Sequence, residues 1–203
     1  MHWHSDLERR GVDTLCAQIF AEAQRHGLAQ AAKALGVADG AVWIWNLTGD
    51  RFPQAQQRLD CYHASRHLWA VAHALHPEDE VAARTWITPL LKKLKSGRVT
   101  ALLNDLRAPA KRLRQKQRQA LAAEATYLEN HQGRMDYAAA RPAGEPQGSG
   151  AMESTCRQYQ CRFKRPAQFW SCAGDEGLMC LETFWRNDRW HLLFSHILHG
   201  APP

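Results

Sequence analysis

The sequence predicts a mainly α-helical protein that contains about two short β-strands. Three observations predict this class. Apolar residues recur every three to four positions over much of the chain, residues 78–130 hold consecutive helical patterns, and two short stretches between turn residues leave room for strands. The chain has 203 residues, which fits a single domain of about 100–200 residues. We therefore expect one domain.

Both strands are expected in the first third of the chain. The spacing of apolar residues predicts a helix over 6–26, with Gly27 as its C-cap. Asp39-Gly40 precedes the compact apolar run from Ala41 to Trp45, and one interpretation is a short strand that ends at Asp39 and is followed by a helix. A second short strand is expected over 56–60, between chain-breaking residues.

Helices are expected to fill the rest of the chain. Residues 62–75 carry a helical pattern, and a further helix is expected to start at His76-Pro77, because proline suits a first helical turn. Residues 141–150 hold two prolines and three glycines, which predicts a loop. The remaining expectations are helices up to residue 130 with breaks at Ser96-Gly97 and Ala108-Pro109, a helix over 151–163, and two helices within 173–198.

The composition indicates a cytoplasmic protein without a membrane partner. The longest apolar stretches are far shorter than the roughly 18 residues that cross a bilayer, and the first four residues lack the apolar segment of a signal peptide. The six cysteines are scattered without a Cys-x-x-Cys pair. A chain of this size does not need disulfides to fold, so we expect reduced thiols.

Positive charge is concentrated in two segments of the chain. The formal net charge is +6, and clustered cations favour a polyanionic partner, because each neutralised phosphate releases condensed counterions. The alternative is a solvated basic face without a partner. The expected DNA-binding residues are Lys111, Arg112, Arg114, Lys116, Arg118, Arg162, Lys164 and Arg165.

Three groups of residues form a motif set. They are Asp39-Gly40-Ala41 with Trp43-Ile44-Trp45-Asn46-Leu47, Phe52-Pro53 leading to Asp60-Cys61-Tyr62-His63-Ala64, and Gly148-Ser149-Gly150-Ala151-Met152-Glu153-Ser154. In this order they resemble bacterial insertion-sequence transposases of the RNase-H-like DDE class, in the group related to Mutator-like elements that includes the Kra-type insertion sequences. The set is specific, although no single member of it is.

The resemblance implies a fold and a division of the chain. Residues 1–66 would be the remnant of an RNase-H-like α/β core, 67–140 a helical insertion, and 141–203 the C-terminal helices that carry the last catalytic glutamate. The fold class is then mainly α, with the helical insertion and the C-terminal helices around a truncated RNase-H-like core.

The resemblance also implies a chemistry. Transposases of this class cleave and join DNA with two divalent ions, Mg²⁺ or Mn²⁺, which prefer oxygen ligands. Asp39 would be the second metal-binding aspartate and Glu153 the final metal-binding glutamate, both catalytic. Asp60 and His63 would form the accessory Asp-x-x-His motif. The partner would be duplex DNA, at transposon ends and at the target.

One element of the family pattern is not matched. The first catalytic aspartate of the family lies on an early strand, whereas Asp6 and Asp13 lie in a helical pattern. We therefore expect the C-terminal part of a transposase, inactive on its own, although Asp60 is a candidate for the third ligand.

Two other functions stay open. The first is a non-catalytic DNA-binding or interaction protein derived from a transposase. The second is a zinc site formed by Asp60, Cys61, His63 and His67, because the two histidines are one helical turn apart.

Overall fold

The chain forms a mainly helical fold with one small sheet, as the sequence predicts. The structure is a computed structural model that describes residues 3–109 and 113–198. This part of the chain contains ten α-helices and two β-strands. It divides into two compact units, the first ending at Ser149 and the second beginning at Gly150. The RNase-H-like core stays a prediction.

The first unit contains both strands and seven helices of the described part. In chain order these elements are α1 (Trp3–Arg25), β1 (Ala34–Ala38), α2 (Val42–Arg51), β2 (Ala55–Leu59), α3 (Cys61–Leu75), α4 (Glu80–Lys95), α5 (Val99–Arg107), α6 (Gln115–Asn130) and α7 (Tyr137–Ala140). No helix in the described residues is long and apolar enough to cross a membrane.

The two strands pair in parallel, with Ala34 opposite Ala55 and Ala38 opposite Leu59. A parallel pair needs a crossover connection, and α2 supplies it. The backbone N–H of Asp60 donates to the carbonyl oxygen of Ala38 at 2.7 Å, which extends the pairing by one residue. The residues that follow β1 and β2 therefore lie side by side at the carboxyl edge of the sheet.

The core of the first unit lies between the sheet and helices α3 to α6. Helix α3 buries Ala64, Leu68 and Val71, which are spaced three or four residues apart and so share one face. Leu102, Leu106 and other apolar residues of α4 to α6 extend this cluster. The core thus holds β2 and α3 firmly, and their junction is at Asp60.

One local prediction was wrong and one short helix was missed. Helix α4 begins at Glu80 rather than at His76-Pro77, because the side chain of Asp79 accepts a hydrogen bond from Ala82 N at 2.9 Å and caps the helix there. Helix α7 was not predicted, since four residues are too few for a periodic pattern. The other predicted helices and both strands are confirmed within a few residues.

The second unit contains α8 (Gly150–Phe163), α9 (Cys172–Arg186) and α10 (Trp190–Leu198). Buried Glu182 of α9 accepts a hydrogen bond from Arg186 at 2.7 Å and forms an ion pair with Arg162 of α8 at 3.2 Å. The hydroxyls of Tyr159 and Thr183 are 2.9 Å apart. These contacts join α8 to α9.

Candidate functional site at the carboxyl edge of the sheet

Asp39 directly follows β1, and its side chain is exposed. Its Oδ1 accepts a hydrogen bond from the N–H of Ala41 at 3.1 Å, just before α2 begins. This bond fixes the carboxylate over the tight turn between strand and helix. Because its side chain is exposed, Asp39 can act as an oxygen ligand for a divalent ion.

Gly40 lies against α6 in a space that no side chain fits. Its φ is +95°, in the region that favours glycine. A Cβ at this position would lie 2.1 Å from the hydroxyl oxygen of Tyr127 and 3.2 Å from Nε2 of His131. The Asp-Gly pair of the motif is therefore explained by close packing of the turn on α6.

Tyr127 ties Asp39 to the helical part of the first unit. Its hydroxyl donates to the backbone carbonyl of Asp39 at 2.7 Å. Burial raises the pKa of Tyr127 to about 12, with further contributions from the negative charges of Asp39 and Glu124. The hydroxyl therefore stays protonated and keeps donating across the physiological pH range.

Three histidines surround Tyr127. His67 stacks on its ring at 3.7 Å between centroids and also contacts the carboxylate of Glu124. The ring centroids of His63 and His67 are 4.9 Å apart, and those of His131 and Tyr127 are 4.6 Å apart. We call His63, His67, Tyr127 and His131 the aromatic cluster.

The pKa values of two histidines in the aromatic cluster are shifted downward. Burial lowers the pKa of His63, and the positive charge of His67 lowers it further. Burial likewise lowers the pKa of His131, with Arg134 as the next cause. The imidazoles of His63 and His131 are therefore neutral at neutral pH.

Asp60 follows β2 and is almost fully buried, with 2% of its surface exposed. Its Oδ1 accepts a hydrogen bond from His63 N at 2.8 Å, which caps α3. Its Oδ2 accepts one from the Ser149 hydroxyl at 2.7 Å and another from the Ser149 N–H. Burial alone would raise the pKa of Asp60, but these hydrogen bonds outweigh burial and hold the pKa below its usual value.

The chain before Ser149 is attached to β2 and α3 by further contacts. Arg58, which is 1% exposed, donates to Oε2 of Glu145 at 2.7 Å and to the carbonyl oxygen of Pro146 at 3.0 Å. The N–H of Cys61 donates to the carbonyl oxygen of Gln147 at 2.9 Å. Residues 145–149 are therefore held along the carboxyl end of β2.

The structure brings parts of all three predicted motifs to one edge of the sheet. Asp39-Gly40 follows β1, Asp60 follows β2, and Ser149 of the third motif contacts Asp60. Glu153 lies in the first turn of α8, in the second unit. Its convergence with Asp39 on a shared metal pair stays a prediction.

In the part of the chain that the structure describes, no group of three or more His, Cys, Asp or Glu side chains is placed to hold a metal ion. The alternative zinc site of Asp60, Cys61, His63 and His67 is therefore not formed there. Its members have separate contacts: Asp60 with Ser149, His67 with Glu124, and Cys61 with a buried environment that raises the pKa of its thiol.

The predicted DNA-binding residues fall into two places. Arg114, Lys116 and Arg118 are exposed at the start of α6, while Lys111 and Arg112 lie outside the described residues. In the second unit, Lys164 and Arg165 are exposed just after α8, and Arg162 is paired with Glu182. Contact of these residues with DNA stays a prediction.

Sequence reasoning did not identify Arg58, Tyr127, His131 and the role of Ser149. Tyr127 and His131 are four residues apart in or next to α6, and Glu124 precedes Tyr127 by three. This Glu-x-x-Tyr-x-x-x-His spacing places all three on one helix face and was the available signal. Arg58 gave no signal, because a charged residue in a strand is usually exposed.

No protein-family model, no curated protein and no solved structure matches this chain. The resemblance to DDE transposases therefore stays a prediction from the sequence motifs.

Proposed function

We propose that this chain takes part in DNA transposition as a component of a DDE-type transposase. The observation that supports the proposal is the meeting of the Asp39-Gly40, Asp60 and Ser149 motif segments at one sheet edge. These segments are far apart in the sequence, and nothing in the helical pattern requires them to meet. In the proposed chemistry, they surround the point at which DNA is cut and joined.

The chain would contribute two oxygen ligands to a pair of Mg²⁺ or Mn²⁺ ions. Asp39 is suited to this role because its carboxylate is exposed, its Oδ1 accepts from the Ala41 N–H, and its backbone carbonyl accepts from the Tyr127 hydroxyl. Glu153 would be the second ligand, four residues beyond Ser149. Bound ions would activate the attacking oxygen and stabilise the leaving oxygen of a phosphodiester.

The basic segments would bind the phosphates of duplex DNA. Arg114, Lys116 and Arg118 present three exposed cations from one short stretch at the start of α6. Such contacts give affinity without sequence preference, and binding weakens as the salt concentration rises.

A second candidate is a non-catalytic DNA-binding protein of the same descent. The observation that favours it is the small number of carboxylates available to bind a pair of metal ions. Within the described residues, Asp39 and Glu153 are not part of any three-member ligand group, whereas two divalent ions need several oxygen ligands each.

Metal binding tests the assignment of the two carboxylates. We expect Mn²⁺, measured by isothermal titration calorimetry, to bind the wild type, and Asp39→Asn and Glu153→Gln each to weaken binding by at least about tenfold. Asp13→Asn is the control, because Asp13 is exposed on α1 and has no role in the proposed site. Equal Mn²⁺ affinity in all four proteins contradicts the assignment.

A further inference from the structure

We infer that Asp60 is a positioning residue that fixes the segment leading into α8, and that it is not a metal ligand. The inference concerns the folded chain itself and holds whether or not the proposed function is correct. It assigns a physical role to the aspartate of the Asp-x-x-His motif.

The hydrogen bonds of Asp60 occupy most of its acceptor capacity. An ionised carboxylate offers about four lone-pair positions. The Ser149 N–H and hydroxyl use two of them on Oδ2, and the His63 N–H uses a third on Oδ1. A metal ion would have to displace these donors from a carboxylate that is itself almost fully buried. Asp39, by contrast, has an exposed carboxylate whose Oδ1 accepts from the N–H of Ala41.

The charge of Asp60 is compensated in place. A buried carboxylate is costly unless hydrogen bonds stabilise its charged form. Asp60 obtains this from the N–H of His63 in the first turn of α3 and from both donors of Ser149. The same donors keep the pKa of Asp60 below its usual value. Loss of the contact with Ser149 would leave the buried charge of Asp60 less well compensated. The charge therefore favours the conformation in which Ser149 is hydrogen-bonded to Asp60.

The segment packs closely against Asp60. A Cβ on Gly148 would lie 3.0 Å from Oδ2 of Asp60 and 3.0 Å from the Tyr62 ring, so a larger residue would require these neighbours to shift. On the other side, Arg58 holds Glu145 and Pro146, and the N–H of Cys61 holds Gln147. Four of the five residues 145–149 are thus hydrogen-bonded to β2, to Asp60 or to the start of α3.

The consequence lies in the next residues of the chain. Helix α8 begins at Gly150, directly after Ser149. Asp60 therefore fixes Ser149, the residue before α8, and Glu153 lies in the first turn of that helix. In this arrangement the Asp-x-x-His motif acts on the last motif through Ser149.

The first test is a pH titration of the wild-type protein by ¹H–¹⁵N NMR. We expect the amide signals of Ser149 and His63 to shift together, with one inflection below the ordinary aspartate pKa of about 3.9, because both amides donate to the same carboxylate. If Asp60 only caps α3, the His63 signal will titrate and the Ser149 signal will not. That result overturns the inference.

The second test uses matched variants and hydrogen exchange at pH 7. Asp60→Asn is compared with Asp79→Asn, because Asp79 caps α4 through the N–H of Ala82 but contacts no distant segment among the described residues. We expect at least about tenfold faster exchange of the Ser149 amide in Asp60→Asn and no change in Asp79→Asn. Unchanged exchange at Ser149 in a folded Asp60→Asn protein also overturns the inference.

A milder variant covers the case in which Asp60→Asn does not fold. Ser149→Ala removes one donor to Oδ2 and leaves Asp60 in place. We expect the pKa of Asp60, followed by its ¹³C carboxyl signal, to rise toward the ordinary value. Ser96→Ala, whose hydroxyl donates locally to the carbonyl of Lys93, is the control and should leave that pKa unchanged. An unchanged pKa in Ser149→Ala contradicts the inference.

Discussion

At the scale of single residues, the candidate site depends on two glycines whose Cα atoms lie close to neighbouring side chains. Gly40 lies under the Tyr127 hydroxyl, and Gly148 lies against Asp60. Asp39 and Asp60 are equivalent by position, since each follows a strand of the parallel pair. They differ in environment: the Asp39 carboxylate is exposed, and the Asp60 carboxylate is buried and hydrogen-bonded. Burial therefore separates a possible ligand from a positioning residue.

The packing at Gly40 gives a stability prediction. We expect Gly40→Ala to lower the free energy of unfolding by about 2–4 kcal/mol, because alanine disfavours the +95° φ and its Cβ would displace Tyr127. Gly49→Ala is the control, because Gly49 lies within α2 and a Cβ there would have no atom within 4 Å. We expect this substitution to raise the free energy of unfolding by up to about 1 kcal/mol. Urea denaturation measures both. A Gly40→Ala protein as stable as the wild type contradicts the described packing.

At the scale of elements, α3 and α6 meet the sheet edge through the aromatic cluster. Helix α3 supplies His63 and His67, α6 supplies Tyr127, and His131 follows α6 directly. The sheet is only two strands wide in the described residues, so these helices provide most of the surface against which the Asp39 turn is fixed. The aromatic cluster therefore couples the turn to the stability of the helical part.

This coupling predicts a loss of stability on acidification. The pKa values of His63 and His131 are lower in the folded protein than the usual 6.5. The unfolded chain therefore takes up protons first, and stability falls as the pH drops through about 6.5 and below. The groups facing these histidines are His67, Arg66 and Arg134, which oppose protonation, and Asp39 and Asp60, which favour it.

Urea denaturation at pH 7.5 and pH 5.5 measures the effect. We expect the wild type to be less stable at pH 5.5, and His131→Gln to show a smaller difference between the two pH values. His26→Gln, at an exposed position after α1, should keep the wild-type difference. If His131→Gln and the wild type lose the same stability, His131 does not contribute through its pKa.

At the scale of the whole molecule, the sequence predicted the elements better than their contacts. Helical periodicity located the long helices, and chain breakers located both strands even though β1, Ala-Leu-Gly-Val-Ala, has little β-branched character. The meeting of Tyr127 with Asp39, and of Ser149 with Asp60, depends on how distant elements pack, which no local pattern contains. The motif resemblance placed Asp39 and Asp60 at strand ends but gave Asp60 no partner.

The last prediction is that this polypeptide alone neither nicks nor joins DNA with Mg²⁺ or Mn²⁺. Two divalent ions carry four positive charges, and Asp39 with Glu153 would bring only two negative ones. Asp60 does not make up the difference, because its oxygens accept hydrogen bonds from His63 and Ser149. With an incomplete ligand set, the attacking and leaving oxygens are not held in line, so both positioning and electrostatic stabilisation are lost.

The assay uses supercoiled plasmid and a pre-nicked element end, with wild type, Asp39→Asn, Asp60→Asn, Glu153→Gln and the control Asp13→Asn. Metal-dependent cleavage by the wild type and Asp13→Asn that is absent from the other three would refute the prediction.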